Sequence, residues 1–333
     1  MNISDYLNDD GLVVMALCSA FALPEGGGAG EAAPFTLSEW NKLARQIHDS
    51  PLKQPAALAG RTADELAKDL GLPPDDAERV ARLLDRSGRL ALELEGLFSR
   101  GLWAVTRIDV QYPKKLRDTL KHQAPTVLFG AGDPQLLSRG GVAVIGSRNI
   151  DEAGTAFAQE VGRKAAGARL PVVSGGARGT DRLAMGAALE AGGVAFGVLA
   201  DSLERTVRQP DLRQLLLDGQ LVLLTPYAPT AGFSVGAAMG RNKVIYGLAD
   251  FAVVVSSDYQ TGGTWAGAVE ALKAGWCPVF ARDGTDVPKG NRELLKLAAA
   301  PLAEGELQSA DNLADWLRDH AKTKPVERDL FGE

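Results

Sequence analysis

The stretch VAVIGSRNIDEAG, from Val142 to Gly154, decides the fold. Apolar, mostly β-branched residues run into Gly146-Ser147-Arg148 and the pattern then turns helical, as in a strand, a tight turn and a helix. Outward from it, beyond Gly101, short apolar runs alternate with helical ones. The runs TVLFGAG, GVAVIG, LPVVSG, VAFGVLA, LVLLTPY, FAVVVSS and PVFAR read as strands. Between them, AGTAFAQEVGRKAAG, RGTDRLAMGAALEAGG, the stretch around DLRQLLLDG, VGAAMGRNKVIYGLAD and GGTWAGAVEALKAG read as helices. This alternation predicts βαβ units, and so an α/β fold with a mostly parallel sheet and helices on both faces. In such a fold, ligand loops follow the carboxyl ends of the strands.

The first hundred residues read differently. PEGGGAGEAAP, Pro24 to Pro34, is a flexible loop by composition. Thr62 caps a helix with Glu65 three places on, and Gly71 closes it before Pro73 and Pro74. Val80, Leu83, Leu84, Leu90 and Leu94 then follow helical spacing and predict one amphipathic helix. The expected organisation is a small all-α domain over 1–100, the α/β domain over 101–300, and a C-terminal helix, NLADWLRDH, with a mobile tail over 301–333. No internal repeat occurs.

Of the 333 residues, 36 are Lys or Arg and 42 are Asp or Glu, a net charge of −6. Bulk charge therefore does not attract nucleic acid, and any anion site must be local. No apolar run reaches the ~20 residues that a membrane helix needs. Cys18 and Cys277 are far apart and no signal peptide is apparent, so a reducing cytoplasm and two buried thiols are expected. His48, His122 and His320 are scattered without ligand spacing. No metal is expected, and no Ser-His or Cys-His catalysis.

Three loops carry the chemistry. Gly146 and Ser147, beside a helix start, form an anion cradle in type, and Arg148 adds a planar fork suited to phosphate; alternatively Gly146 only turns the chain and Arg148 is solvated. SGGARGTD, with Ser174, Gly175, Gly176, Arg178 and Gly179, exposes many amides after the next strand. Its Asp181 either caps the helix or holds Arg178. TGGTWAGAVE places Thr261, Gly262, Gly263 and Thr264 at a third strand end, with Trp265 available for stacking or for packing. GRNKVIYGLAD puts Arg241, Asn242 and Lys243 at the start of an apolar helix, facing an anion or water. Arg205, Arg208 and Arg213 add positive charge nearby, enough for one basic groove. Neither GxGxxG nor GxxxxGK[ST] occurs, so a dinucleotide enzyme or a P-loop ATPase is unsupported.

VAVIGSRN, VVSGGARGTD and GRNKVIYGLADFAVVV, in this order, resemble the DNA-processing protein A (DprA/Smf) family, from about Trp103 to Arg282. WAVTRIDVQYPKKLRDTLKHQAPTVLFGAGD resembles that family's lead-in. The resemblance implies an extended Rossmann-like domain, with the helical N-terminus corresponding to a sterile-alpha-motif-like domain. It implies a homodimeric, non-enzymatic binder of single-stranded DNA that protects the strand and loads RecA recombinase, in transformation or recombinational repair, with no cofactor. Gly146, Ser147, Arg148, Ser174, Gly175, Arg178 and Gly179 would line the strand pocket, and Arg241, Asn242 and Lys243 would grip the backbone.

Four departures stand out. The family's Ser-Gly-Leu-Ala-Arg-Gly-Ile-Asp loop reads SGGARGTD, and its Ser-Gly-Ser-Leu turn reads TGGTWAGA. Its Tyr-Pro becomes Gln209-Pro210, which removes a stacking ring, and no winged helix is recognisable. TGGTWAGAVE is also similar to the loop of Lonely-Guy-type nucleotide phosphoribohydrolases. In that alternative Arg178 and Glu270 would handle a ribose-phosphate, although Glu270 lies further from the glycines than in that pattern. The C-terminal ERDLFGE resembles peptides that dock on bacterial sliding clamps, with Leu330 and Phe331 as anchors.

Overall fold

The computed structural model describes residues 2–23 and 32–321. Most of the Gly-rich loop after Pro24, and the tail with Leu330 and Phe331, lie outside the described residues. The strands are β1 (Leu102–Thr106), β2 (Val127–Ala131), β3 (Val142–Gly146), β4 (Val172–Ser174), β5 (Ala195–Val198), β6 (Leu221–Thr225), β7 (Phe251–Ser256), β8 (Val279–Asp283) and β9 (Ala300–Ala303). They form one sheet in the order β1-β2-β6-β5-β4-β3-β7-β8-β9. β2 runs antiparallel to both β1 and β6, and every other pair is parallel. Chain order reverses beside β3, with β4 on one side and β7 on the other. That is the topological switch point, where a crevice opens beyond the strand ends.

All seven expected strands are present. Their residues are almost wholly buried because both sheet faces are covered, which is why they read as continuous apolar runs. Two strands went unread. β1 follows a helix with only Arg100 and Gly101 between them, and β9 is a four-residue edge strand containing Pro301.

The N-terminal helices are α1 (Asp9–Cys18), α2 (Leu37–Asp49), α3 (Ala63–Leu70), α4 (Pro74–Asp85) and α5 (Ser87–Ser99). Thr62 and Glu65 form the expected capping box of α3, and Gly71 closes it at φ 65°. The single helix expected over Val80 to Leu94 is two, because the chain bends at Arg86. Its guanidinium bonds the carbonyls of Ala16, Ser19 and Phe21 at the end of α1, and this tie outweighs helix continuation. The buried core runs unbroken from these helices into the sheet, with Phe21 against Phe129 at 5.4 Å.

Among the described residues there follow α6 (Lys114–Leu120), α7 (Glu152–Gly167), α8 (Thr180–Glu190), α9 (Leu203–Val207), α10 (Pro210–Leu217), α11 (Val235–Leu248), α12 (Gly262–Ala274), α13 (Lys289–Lys296), α14 (Glu304–Ser309) and α15 (Leu313–Ala321). α7 and α8 pack together on one sheet face, so closely that a Cβ at Gly162 would lie 2.4 Å from the Ala184 carbonyl oxygen. α11 packs on α6 and α12 and covers the other face of β3 to β5.

Candidate functional site

The three expected loops converge at the switch point, and several amides of the first two are engaged within the protein. Ser147 N–H donates to the Ser256 carbonyl across β3 and β7 at 2.9 Å, and Asn149 N–H to Ser147 Oγ. α7 is capped by Asp151, which accepts from Gly154 N–H at 2.6 Å. The Ser147, Asn149 and Gly154 amides of the first turn are thus engaged within the protein. Gly146 is required for space, since a Cβ there would lie 2.4 Å from Thr180 Oγ1.

The second loop is also turned inward. Gly175 and Ala177 N–H both donate to Asp181 Oδ2, at 3.1 and 3.3 Å. Asp181 neither caps α8 nor holds Arg178, as the sequence reading had it; it folds its own loop. Arg178 instead reaches Asn149 Oδ1 at 3.4 Å, tying the second loop to the first. Beneath both lies Arg241, 7% exposed, its Nη2 3.3 Å from the Gly175 carbonyl and 4.0 Å from Asp181. Arg241 sits near the middle of α11, not at the start of a helix, because α11 begins at Val235. It is therefore largely buried beneath the second loop while still reaching the walls of both cavities. Burial pushes the Asp181 carboxyl up and the Arg241 guanidinium down, each partly offset by the other. The Arg241 Nε atom is buried without a partner.

The third loop opens on the smaller of two cavities. α12 starts at Gly262 with no side-chain cap, so its first amides open on the cleft at the positive end of a helix dipole. Asn242 fixes this turn by donating to the Gly263 carbonyl at 3.1 Å. Trp265 is committed to packing, edge-on to Tyr259 at 5.0 Å.

A wholly buried residue that the sequence did not reveal holds the strand ends below. Asn291, on α13, accepts from Ser257 N–H and donates to the carbonyls of Val254, Val255 and Arg282. Asn291→Ala strips these partners from backbone groups that water cannot reach. It is expected to lower folding stability by about 2–3 kcal/mol, measured as a shift in urea midpoint; an unchanged midpoint contradicts this role.

Two adjoining cavities result, of about 710 and 420 Å³, with Arg148, Ala177, Phe233 and Arg241 in their common wall. The larger is lined by Gly175, Gly176 and five arginines, Arg148, Arg178, Arg182, Arg205 and Arg241, against two aspartates. In the smaller lie Gly146, Ser147, Asn242, Thr261, Gly262, Gly263 and Thr264, with two arginines balanced by Asp181 and Asp258. Side-chain charge is thus in excess in the larger cavity and balanced in the smaller, onto which the first amides of α12 open. Ser174, Gly179 and Lys243 line neither cavity, and Ser174 is buried with its hydroxyl on the Val144 carbonyl. Glu270 is exposed on α12 and lines neither, so the cavities take no carboxylate from it.

Two contributors escaped the sequence reading. Arg182 braces the Gly176 carbonyl at 3.2 Å. Phe233, 51% exposed, stands at the junction of the cavities with the Arg148 guanidinium 5.3 Å over its ring. Val235 and Met239, also exposed, continue its apolar edge along α11. The available signal was AGFSVGAAMG, an uncharged stretch with apolar residues in a segment that should meet solvent. Burial pushes the Cys277 thiol up to about 12 and the Cys18 thiol higher still, so neither is a nucleophile. Among the described residues no helix is long and apolar enough to cross a membrane.

An open, mostly parallel sheet with an arginine-lined crevice at its switch point defines a Rossmann-like α/β protein. The family model for DNA recombination-mediator protein A matches residues 103–313, and the chain belongs to that family. It is 29% identical over 190 residues to the DNA processing protein DprA of Bacillus subtilis, covering 56% of this chain and 62% of the relative. The chain thus spans about three fifths of that relative's length. Among solved structures, DprA of Streptococcus pneumoniae has a TM-score of 0.61 at 23% identity, over 84% of this chain and 98% of that one. The DNA processing protein A of Helicobacter pylori, described for its single-stranded DNA binding mode, has a TM-score of 0.53 at 24% identity, over 66% and 97% of the two chains. These likenesses place the fold.

Proposed function

We propose that this protein binds single-stranded DNA in the cleft at the switch point and passes the strand to RecA recombinase, acting as a homodimer in the cytoplasm and without catalysis. One observation carries this reading: an exposed aromatic ring, Phe233, at the junction of an arginine-rich cavity and a neutral one. Phosphates are drawn to Arg148, Arg178, Arg182 and Arg205. An unstacked base lies on Phe233 or enters the neutral cavity, between Ser147 and the turn from Thr261 to Thr264. A duplex keeps its bases paired and cannot use the ring, so the pair of features selects a single strand. Residues 1–100 form the helical unit in this reading, and 101–300 the DNA-binding one. Phe233 also supplies the stacking surface that Gln209, which lines the larger cavity, does not.

Fluorescence anisotropy of labelled oligo-dT against the matching duplex, over a salt series, tests the reading. The single strand is expected to bind more tightly, with affinity falling steeply as salt rises. Phe233→Ala is expected to weaken binding by about 1–3 kcal/mol while leaving the salt slope unchanged, since no phosphate contact is lost. Equal affinity for duplex and single strand, or no effect of Phe233→Ala, rejects this geometry. RecA filament nucleation on the bound strand then tests the hand-over.

A further inference from the structure

A second groove lies on the far side of α9 and α10, where they approach the helical segment. Its volume is about 1130 Å³, and Arg100, Arg208 and Arg213 line it with Glu204 and Asp133. Glu204 is shared, 3.1 Å from Arg100 and 3.7 Å from Arg208. Asp133 is occupied in capping the turn that follows β2, accepting from Gln135 N–H. Arg213 is exposed and has no partner among the described residues. Three guanidinium groups thus face two carboxylates, a surplus of one positive charge. Leu217, 72% exposed, offers apolar surface beside it, and Tyr6 lines the same groove.

The two sites share a wall. Arg205, Gln209 and Leu212 line the arginine-rich cavity, while Arg208, Arg213 and Leu216, interleaved with them along α9, α10 and the link between them, line the groove. A ridge one helix wide, about 10–12 Å, separates them, and a flexible strand crosses it within a few nucleotides.

We infer that the groove between α10 and the helical segment is a second station for the DNA strand, which leaves the cleft past Arg205, crosses α9 and α10, and lays its phosphodiester backbone on Arg208, Arg213 and Arg100. This rests on the single-stranded DNA reading of the cleft and extends it. Charge complementarity and continuity with the cleft argue for it. A protein of net charge −6 holds this surplus of arginines on the one ridge that borders its other basic cavity.

The test uses the full chain and two oligo-dT lengths, one of about six nucleotides that fills the cleft alone and one of about 25 that can cross the ridge. Arg208→Ala with Arg213→Ala is expected to leave the short strand's affinity unchanged. For the long strand, affinity is expected to fall several-fold to ten-fold at low salt, and the log–log salt slope to drop by about 1.4, two phosphate contacts at ~0.7 each. Arg208→Lys with Arg213→Lys is expected to restore the slope, which separates a charge effect from a change in fold. An unchanged slope on the long strand, or an equal loss at both lengths, overturns the second station and leaves the cleft standing. Failure of the wild type to bind either strand overturns the cleft reading and the second station together.

Discussion

Arg241→Ala is expected to cost about 3–5 kcal/mol of folding stability at neutral pH, because it leaves the Asp181 carboxylate buried without its counter-charge. The sign of the pH dependence follows from burial. Asp181 holds its proton more tightly folded than unfolded, so its ionisation opposes folding above the folded-state pKa, and acidification through that value relieves the penalty. Removing Arg241 removes a downward pull on that pKa and moves the relief to higher pH. The deficit of Arg241→Ala relative to wild type is therefore expected to shrink between pH 7 and pH 5 in urea titrations. Asp181→Asn with Arg241→Leu is expected to be more stable than Arg241→Ala alone, since no charge is then buried. A pH-independent deficit, with no recovery in the double variant, means that Asp181 and Arg241 do not act as a pair.

Arg148→Ala with Arg178→Ala is expected to do the opposite: little to stability, much to binding. Both side chains are exposed, and exposed substitutions typically move stability by less than about 0.5 kcal/mol. Two charge-assisted phosphate contacts, at about 1.5–3 kcal/mol each, correspond to a loss of about a hundred-fold or more in affinity for oligo-dT. The salt slope falls with it, by about 1.4. Anisotropy and thermal melting on the same preparation check both halves. Unchanged affinity in a variant that melts like the wild type removes these arginines from the interface. A double variant containing Arg241 in place of Arg178 would mix lost binding with lost folding, a distinction visible only once α11 is in place.

The strands from β2 to β8 were legible because a parallel strand covered on both faces must be apolar throughout, and the helices between them because each buries one face. β1 was not, since it follows α5 with only Arg100 and Gly101 between them, nor was β9, a half-exposed edge strand containing Pro301. The loops that form the cleft announced themselves through glycine and arginine. What those residues do there did not, because each role depends on a partner far along the chain: Arg241 on Gly175 and Asp181, Ser147 on Ser256, Asn291 on Val254.

Local pattern thus determined the α/β class, the carboxyl-end loops and the arginines, since periodicity, turn chemistry and charge are properties of neighbouring residues. Tertiary structure alone decided that the Gly175 and Ala177 amides turn onto Asp181, that Arg241 is buried against that loop, that Phe233 stands in the cleft, and that arginines border α9 and α10 on both sides. Those are facts of which groups meet across the sheet, and a hydrogen bond or a buried charge pair leaves no trace in the spacing of either partner.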